Sequence, residues 1–97
     1  MTRTVLPLTL VCLALALPGP AAAACYADYK AKQEDPLRLH YGVAELPDNA
    51  CSRGAAADAL RARLADAGWT LLNVVSTFGG DQLDEKRDSA GENFLRY

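Results

Sequence analysis

What this chain can fold into is limited first by its opening segment, which decides how much sequence is left to build a domain. Met1–Thr4 carries one side-chain cation, Arg3, and no acid. Val5–Leu17 is almost wholly apolar, with Leu8, Leu10, Val11, Leu13, Leu15 and Leu17 prominent. Pro18-Gly19-Pro20 ends any helix there, and Ala22-Ala23-Ala24 supplies the small-x-small pattern that signal peptidase needs. Basic, apolar, breaker and small, in that order, is the arrangement of a cleavable secretory signal. A retained membrane anchor is the rival, but the apolar run is about 13 residues and a span needs about 20. Residues 1–24 therefore read as a signal peptide cut between Ala24 and Cys25, and residues 25–97 as one small exported domain, periplasmic or secreted.

Cleavage there removes Cys12 and leaves Cys25 and Cys51. An even pair in an oxidising compartment reads as one disulfide. It would close a loop of about 25 residues, for which the loop-entropy account gives roughly 3 kcal/mol. That is a large contribution for a domain of this size, which buries only about 60% of its unfolded surface. A cysteine opening the mature chain is also where bacterial lipoproteins are acylated, although Ala22 stands where those usually carry Leu. A lipid thioether would consume the Cys25 sulfur, so the two readings exclude one another. A membrane partner follows only from the lipid.

Period-two alternation in 25–32 puts Cys25, Ala27, Tyr29 and Ala31 on one face and Tyr26, Asp28, Lys30 and Lys32 on the other. That pattern predicts a half-buried strand, with a helix as the rival because Ala and Lys suit one. Gln33-Glu34-Asp35-Pro36 makes a turn. Alternation resumes from Leu37 to Leu46, with Leu37, Leu39, Tyr41 and Val43 opposite Arg38, His40, Gly42 and Ala44, so the two runs predict a hairpin. Pro47 breaks the run, and Asp48, Asn49 or Ser52 can cap a helix whose first full turn begins near Ala55. Ala56, Leu60, Leu64 and Ala67 form its apolar stripe, and Gly68 ends it.

Trp69–Phe78 is apolar on both faces, the pattern of a central strand. Asp81–Glu92 reads as a charged connection with room for one helical turn over 82–88, and Asn93–Tyr97 as a short closing strand. The expected fold is α+β, an antiparallel four-stranded sheet (β-β-α-β-β) with one helix packed on one face. Leu37, Leu39, Tyr41, Val43, Leu60, Leu64, Leu71 or Leu72, and Phe94 are the expected core.

The run Gly68-Trp69-Thr70-Leu71-Leu72-Asn73-Val74-Val75, entered from the helix that begins at Ala55, resembles small exported bacterial domains without an assigned activity. Those are built as a helix, Gly-Trp-Glu-Leu-Val-x-Val and a closing strand; Thr70 stands here where they often have Glu. The resemblance implies an α+β fold and carries no catalytic residues with it.

Composition excludes more than it assigns. The whole chain has a formal charge of −2, and losing Arg3 makes the remainder slightly more acidic. No basic patch suits nucleic acid, and no Gly-rich phosphate loop or other cofactor motif occurs. His40 is the sole histidine. As a general base it needs a positioned partner, for which Asp28 or Lys30 across the hairpin is the candidate; as an ordinary strand residue it faces solvent. Without a second His, a zinc site would need both cysteines. Cys25 and Cys51 also lie too far apart in sequence for the usual redox dithiol.

Asp81, Asp84, Glu85 and Asp88 form an acidic stretch. Calcium takes several oxygen ligands, but the EF-hand spacing is absent and Lys86 and Arg87 interrupt the acids. A solvated connection is the plainer reading, and a loop of this kind is where a binding site would sit. Trp69 is expected to pack over the helix end, and Tyr26 with Tyr97 to contribute to a partner-binding patch. Together these features point to a non-enzymatic binding or interaction module. The alternatives are a structural lipoprotein acylated on Cys25 and a small enzyme inhibitor using the acidic stretch as a wedge.

Overall fold

A computed structural model describes residues 24–97, so the expected signal segment lies outside the described residues apart from Ala24. Strand β1 (Cys25–Gln33) turns into β2 (Arg38–Leu46). A short 3-10 turn (Asp48–Ala50) leads to helix α1 (Arg53–Asp66) and then to β3 (Thr70–Phe78). A second 3-10 turn (Gly80–Gln82) opens helix α2 (Leu83–Ala90), and a third (Gly91–Asn93) precedes the C-terminal residues. The sheet is antiparallel in the order β2-β1-β3. The expected four-stranded sheet with one helix is thus corrected to three strands with a helix on each face.

The inward alternation of β1 explains its central place. Cys25, Ala27, Tyr29 and Ala31 all face α1, where Ala56, Leu60 and Leu64 meet them together with Ala44, Leu46 and Val74. Small residues at 27, 31 and 44 let the helix come close to the sheet. The Tyr29 ring lies across Gly42 of β2, so that a Cβ at Gly42 would sit 2.6 Å from Tyr29 Cζ. Gly42 and Ala44, on the face of β2 that looked polar, are therefore buried against the main core.

Both ends of α1 are closed by local chemistry. Ser52 Oγ accepts from the Ala55 amide at 3.1 Å, an N-cap. At the other end the Trp69 amide donates to Leu64 O at 2.8 Å and the Gly68 amide to Ala65 O at 3.0 Å. With Gly68 at φ +85°, this is a Schellman ending. Cys25 and Cys51 are joined, their Cα atoms 5.9 Å apart, tying the start of β1 to the segment before α1.

The opposite face carries a smaller cluster of Val43, Phe78 and Ala90, with Tyr26, Tyr41, Leu83 and Phe94 packed against it. Here α2 replaces the expected charged connection. Leu83, Lys86 and Ala90 fall at helical spacing on the side that meets the sheet. An eight-residue helix is only about 12 Å long. It covers the Val43 end of β2 and leaves Leu37 and Leu39, expected in the core, 64% and 65% exposed.

Two further expectations are corrected. β3 is an edge strand, and its continuous hydrophobicity comes from irregular pairing. Asp28 pairs with Ser76 but Tyr29 with Val74, and Lys30 pairs with Asn73 but Ala31 with Leu71, so Val75 and Leu72 are extra residues in two bulges. Each bulge shifts the alternation, so Phe78 belongs to the α2 face while Val74 and Leu71 belong to the α1 face. The expected closing strand is a single parallel bridge between Val43 and Phe94. Leu95, at φ +56°, leaves the extended region and ends the pairing there.

Candidate functional site

Two groups of polar side chains are set into this frame, one on each face of the sheet. Beneath α2, Asp28 is only 2% exposed. Its Oδ1 accepts from Ser76 Oγ at 2.7 Å, and its Oδ2 from Tyr41 Oη at 2.8 Å and Lys86 Nζ at 3.0 Å. Burial by itself would raise the Asp28 pKa, but the donors on Ser76, Tyr41 and Lys86 outweigh it and hold the carboxyl below its ordinary value. Burial and the neighbouring carboxylate push the Tyr41 phenol up. The Lys86 ammonium also lies 5.0 Å from the centroid of Phe78. Every polar group in this cluster has a partner, and Asp28, Ser76 and Lys86 line neither of the two main clefts. The arrangement is a clasp between α2 and the sheet, of which only Tyr41 reaches a cleft wall.

The second group centres on His40, at the hairpin end of the α1 face. Because His40 pairs with Ala31 across β1, its ring lies on the same face as Tyr29. Tyr29 Oη and His40 Nε2 are 3.0 Å apart. Trp69 meets the imidazole edge-on, with centroids 4.3 Å apart, and Tyr97 stacks on it at 5.5 Å. His40 Nδ1 is shielded from solvent and has no hydrogen-bond partner. A proton added there would find no acceptor. Burial, followed by the positive charge of Arg96, lowers the His40 pKa and favours the neutral ring.

Around this aromatic cluster lies a cleft of about 410 Å³. Its walls come from three parts of the chain: Gln33, Arg38 and His40 of the hairpin, Ala67 and Trp69 after α1, and Glu92, Asn93, Arg96 and Tyr97 near the C-terminus. The Schellman ending of α1 aims Trp69 into it. The kink at Leu95 carries the chain over the edge of β2, where the Leu95 amide donates to Val43 O at 2.7 Å. Phe94 thereby stays on the α2 face while Tyr97 reaches His40 on the other. Arg63 of α1 donates to Tyr97 O at 3.4 Å. A non-glycine residue at positive φ costs of order 1–2 kcal/mol, and such strain is often found beside functional sites.

These placements separate residues that the sequence suggested together. His40 and Asp28 lie on opposite faces of the sheet, so the catalytic pairing across the hairpin does not form, and His40 is half-buried where a solvent-facing ring was expected. Lys30 is likewise on the far face. Asp81 sits in the 3-10 turn before α2, and Asp84, Glu85 and Asp88 lie on the exposed side of α2, away from His40. Asp84 is paired with Arg87 at 3.3 Å. Tyr26 stacks with Phe78 at 6.1 Å on the α2 face, so it forms no patch with Tyr97. Trp69 closes the end of α1 as expected and also walls the cleft.

Residues that sequence reasoning missed here are Arg38, Arg96, Asn93 and Gln33, which carry no motif. The disulfide takes both sulfurs of the expected pair. Among the described residues no helix is long and apolar enough to cross a membrane. Comparison with models of known protein families, with curated proteins and with solved structures finds no match.

Proposed function

We propose that this chain is a ligand-binding module working outside the cytoplasm, in the periplasm or as a secreted protein, and that the His40 cleft is its binding site. The observation that carries the proposal is the convergence of three chain segments on one cleft. Its volume falls within the range typical of small-molecule sites, and its lining is mostly polar, with Gln33, Arg38, Glu92, Asn93 and Arg96 set around His40, Trp69 and Tyr97. The Cys25–Cys51 disulfide supports an oxidising compartment, as does the signal-like leader. No serine, threonine or cysteine lines the cleft beside His40, so the geometry supports binding over nucleophilic chemistry.

The test is a heteronuclear NMR screen of the disulfide-bonded protein against small neutral, cationic and anionic compounds, read in parallel through the emission of Trp69, the sole tryptophan. Binding at this site moves Gln33, His40, Trp69, Asn93 and Tyr97 together and changes Trp69 emission. Perturbations scattered over the surface, or gathered on α2, would refute the assignment.

A further inference from the structure

We infer that the cleft selects a ligand bearing an oxyanion, a carboxylate or phosphate, on a flat apolar body; this rests on the cleft being the binding site. Two guanidinium groups, Arg38 at the start of β2 and Arg96 beside Tyr97, line the cleft. Elsewhere among the described residues, Arg61 and Arg87 are paired with Asp58 and Asp84, and Lys32 and Lys86 with Glu34 and Asp28, while Arg53 and Arg63 donate to the backbone carbonyls of Val75 and Glu45 and Lys30 has no ion pair. Neither Arg38 nor Arg96 has a carboxylate within 4.0 Å. Glu92 is the sole acidic side chain on the wall and pairs with neither. The cleft therefore carries two guanidinium groups without a carboxylate partner, within a domain whose net charge is negative.

Guanidinium is the group best shaped to grip an oxyanion through parallel N–H donors. Asn93 adds an amide donor at the rim, beside Gln33, whose Nε2 donates to Gly68 O at 3.3 Å. Trp69, His40 and Tyr97 supply an aromatic floor for the flat part of the ligand. Arg96 already lies 5.4 Å from the Tyr97 centroid, which holds its charge over that floor. The strained Leu95 between Phe94 and Arg96 is what turns both Arg96 and Tyr97 to this side.

His40 offers an internal reporter. The charged and titratable groups around it are Tyr29 on β1, Arg38 on β2, Arg63 on α1, and Glu92, Arg96 and Tyr97 near the C-terminus. Trp69 adds no charge. An anion seated between Arg38 and Arg96 offsets their field and makes protonation of His40 easier.

The experiment measures binding of benzoate, phenyl phosphate, benzyl alcohol and benzylammonium to the disulfide-bonded protein by Trp69 emission, at constant ionic strength. The His40 pKa is followed by NMR with saturating benzoate and with equal sodium chloride. Both anions should bind at least about tenfold more tightly than the neutral and cationic probes. R38Q and R96Q should each weaken benzoate about tenfold while leaving benzyl alcohol unchanged. Benzoate should raise the His40 pKa where sodium chloride does not. Tighter binding of benzoate than phenyl phosphate assigns the carboxylate, and the reverse order assigns the phosphate. Benzyl alcohol binding in the cleft as tightly as benzoate, or an anion preference that survives both arginine substitutions, overturns the inference while the binding module stands. If no probe reaches the cleft, both readings fall.

Discussion

Replacing Lys86 with Met removes one ammonium from the clasp beneath α2 and leaves nearly everything else in place. The methionine can lie along Phe78 as the lysine stem does, and Asp28 keeps its hydroxyl donors on Ser76 and Tyr41. What disappears is a single ion pair, 3.0 Å long, between a carboxylate 2% exposed and an amine 22% exposed. At that distance and an effective dielectric of about 20 the direct attraction is roughly 5 kcal/mol. The variant no longer desolvates the ammonium, which takes back part of that attraction, while Asp28 stays buried, so the expected loss is about 2–3 kcal/mol. For a domain this small each kcal/mol moves Tm by about 4–8 °C, which puts the shift at about 10–20 °C.

Urea and thermal unfolding followed by circular dichroism measure this loss. The matched control is Arg61→Gln, which removes the exposed Arg61–Asp58 pair and should change stability by less than about 0.5 kcal/mol. Losing the ammonium also removes one of the influences holding the Asp28 pKa down, so the variant's stability should fall less steeply with acid than the parent's. If Lys86→Met matches Arg61→Gln within error, the clasp does not hold α2 to the sheet and the account of that face is wrong.

Other expectations follow from the same structure. Gly42→Ala drives a methyl into the buried Tyr29 ring; overpacking should cost about 1–3 kcal/mol, read by denaturant unfolding, together with a change in the His40 resonances through its contact with Tyr29. Cys51→Ala opens the crosslink and should cost roughly 3 kcal/mol on the loop-entropy account, and mild reduction of the parent should reproduce that loss. Asp28 titrates lower in the folded chain than its reference of 3.8, so the stability it contributes is present above about pH 4 and is lost as pH falls through the folded value. Asp28→Asn should flatten that acid limb of the stability profile. An unchanged limb would mean that other carboxylates carry it.

Much of this fold was legible because its signals are local. The alternation of Cys25, Ala27, Tyr29 and Ala31 marked the face of β1 that meets α1. The stripe of Ala56, Leu60 and Leu64, with Ser52 before it and Gly68 after, marked α1 within two residues of its true start. The candidate site was legible only in part. His40 and Trp69 drew attention as single residues, but nothing near them in sequence says that Arg38 and Arg96 share their cleft. β2 misled because the bulky residues at its start, Leu37 just before it and Leu39 within it, extend past the end of α2, while its small ones, Gly42 and Ala44, make room for Tyr29 and α1. β3 misled because two bulges put residues from both parities onto the same face, which imitates a strand buried on both sides.

The sequence alone determined the hairpin, the first helix and its Gly68 ending, and proposed the Cys25–Cys51 pair, since each depends on residues a few positions apart or on simple chemistry; which of Asp48, Asn49 and Ser52 caps the helix was decided by the structure. The tertiary structure decided the second helix, the side of the sheet on which His40 lies, and the cleft. Lys86 shows why. It interrupts an otherwise apolar stripe, and read locally it argues for solvent. It becomes an inward-facing residue only because Asp28, 58 positions earlier, offers it a buried carboxylate. A charge can turn inward only where the fold supplies its counter-charge, and that partner is found through packing, not through neighbouring sequence.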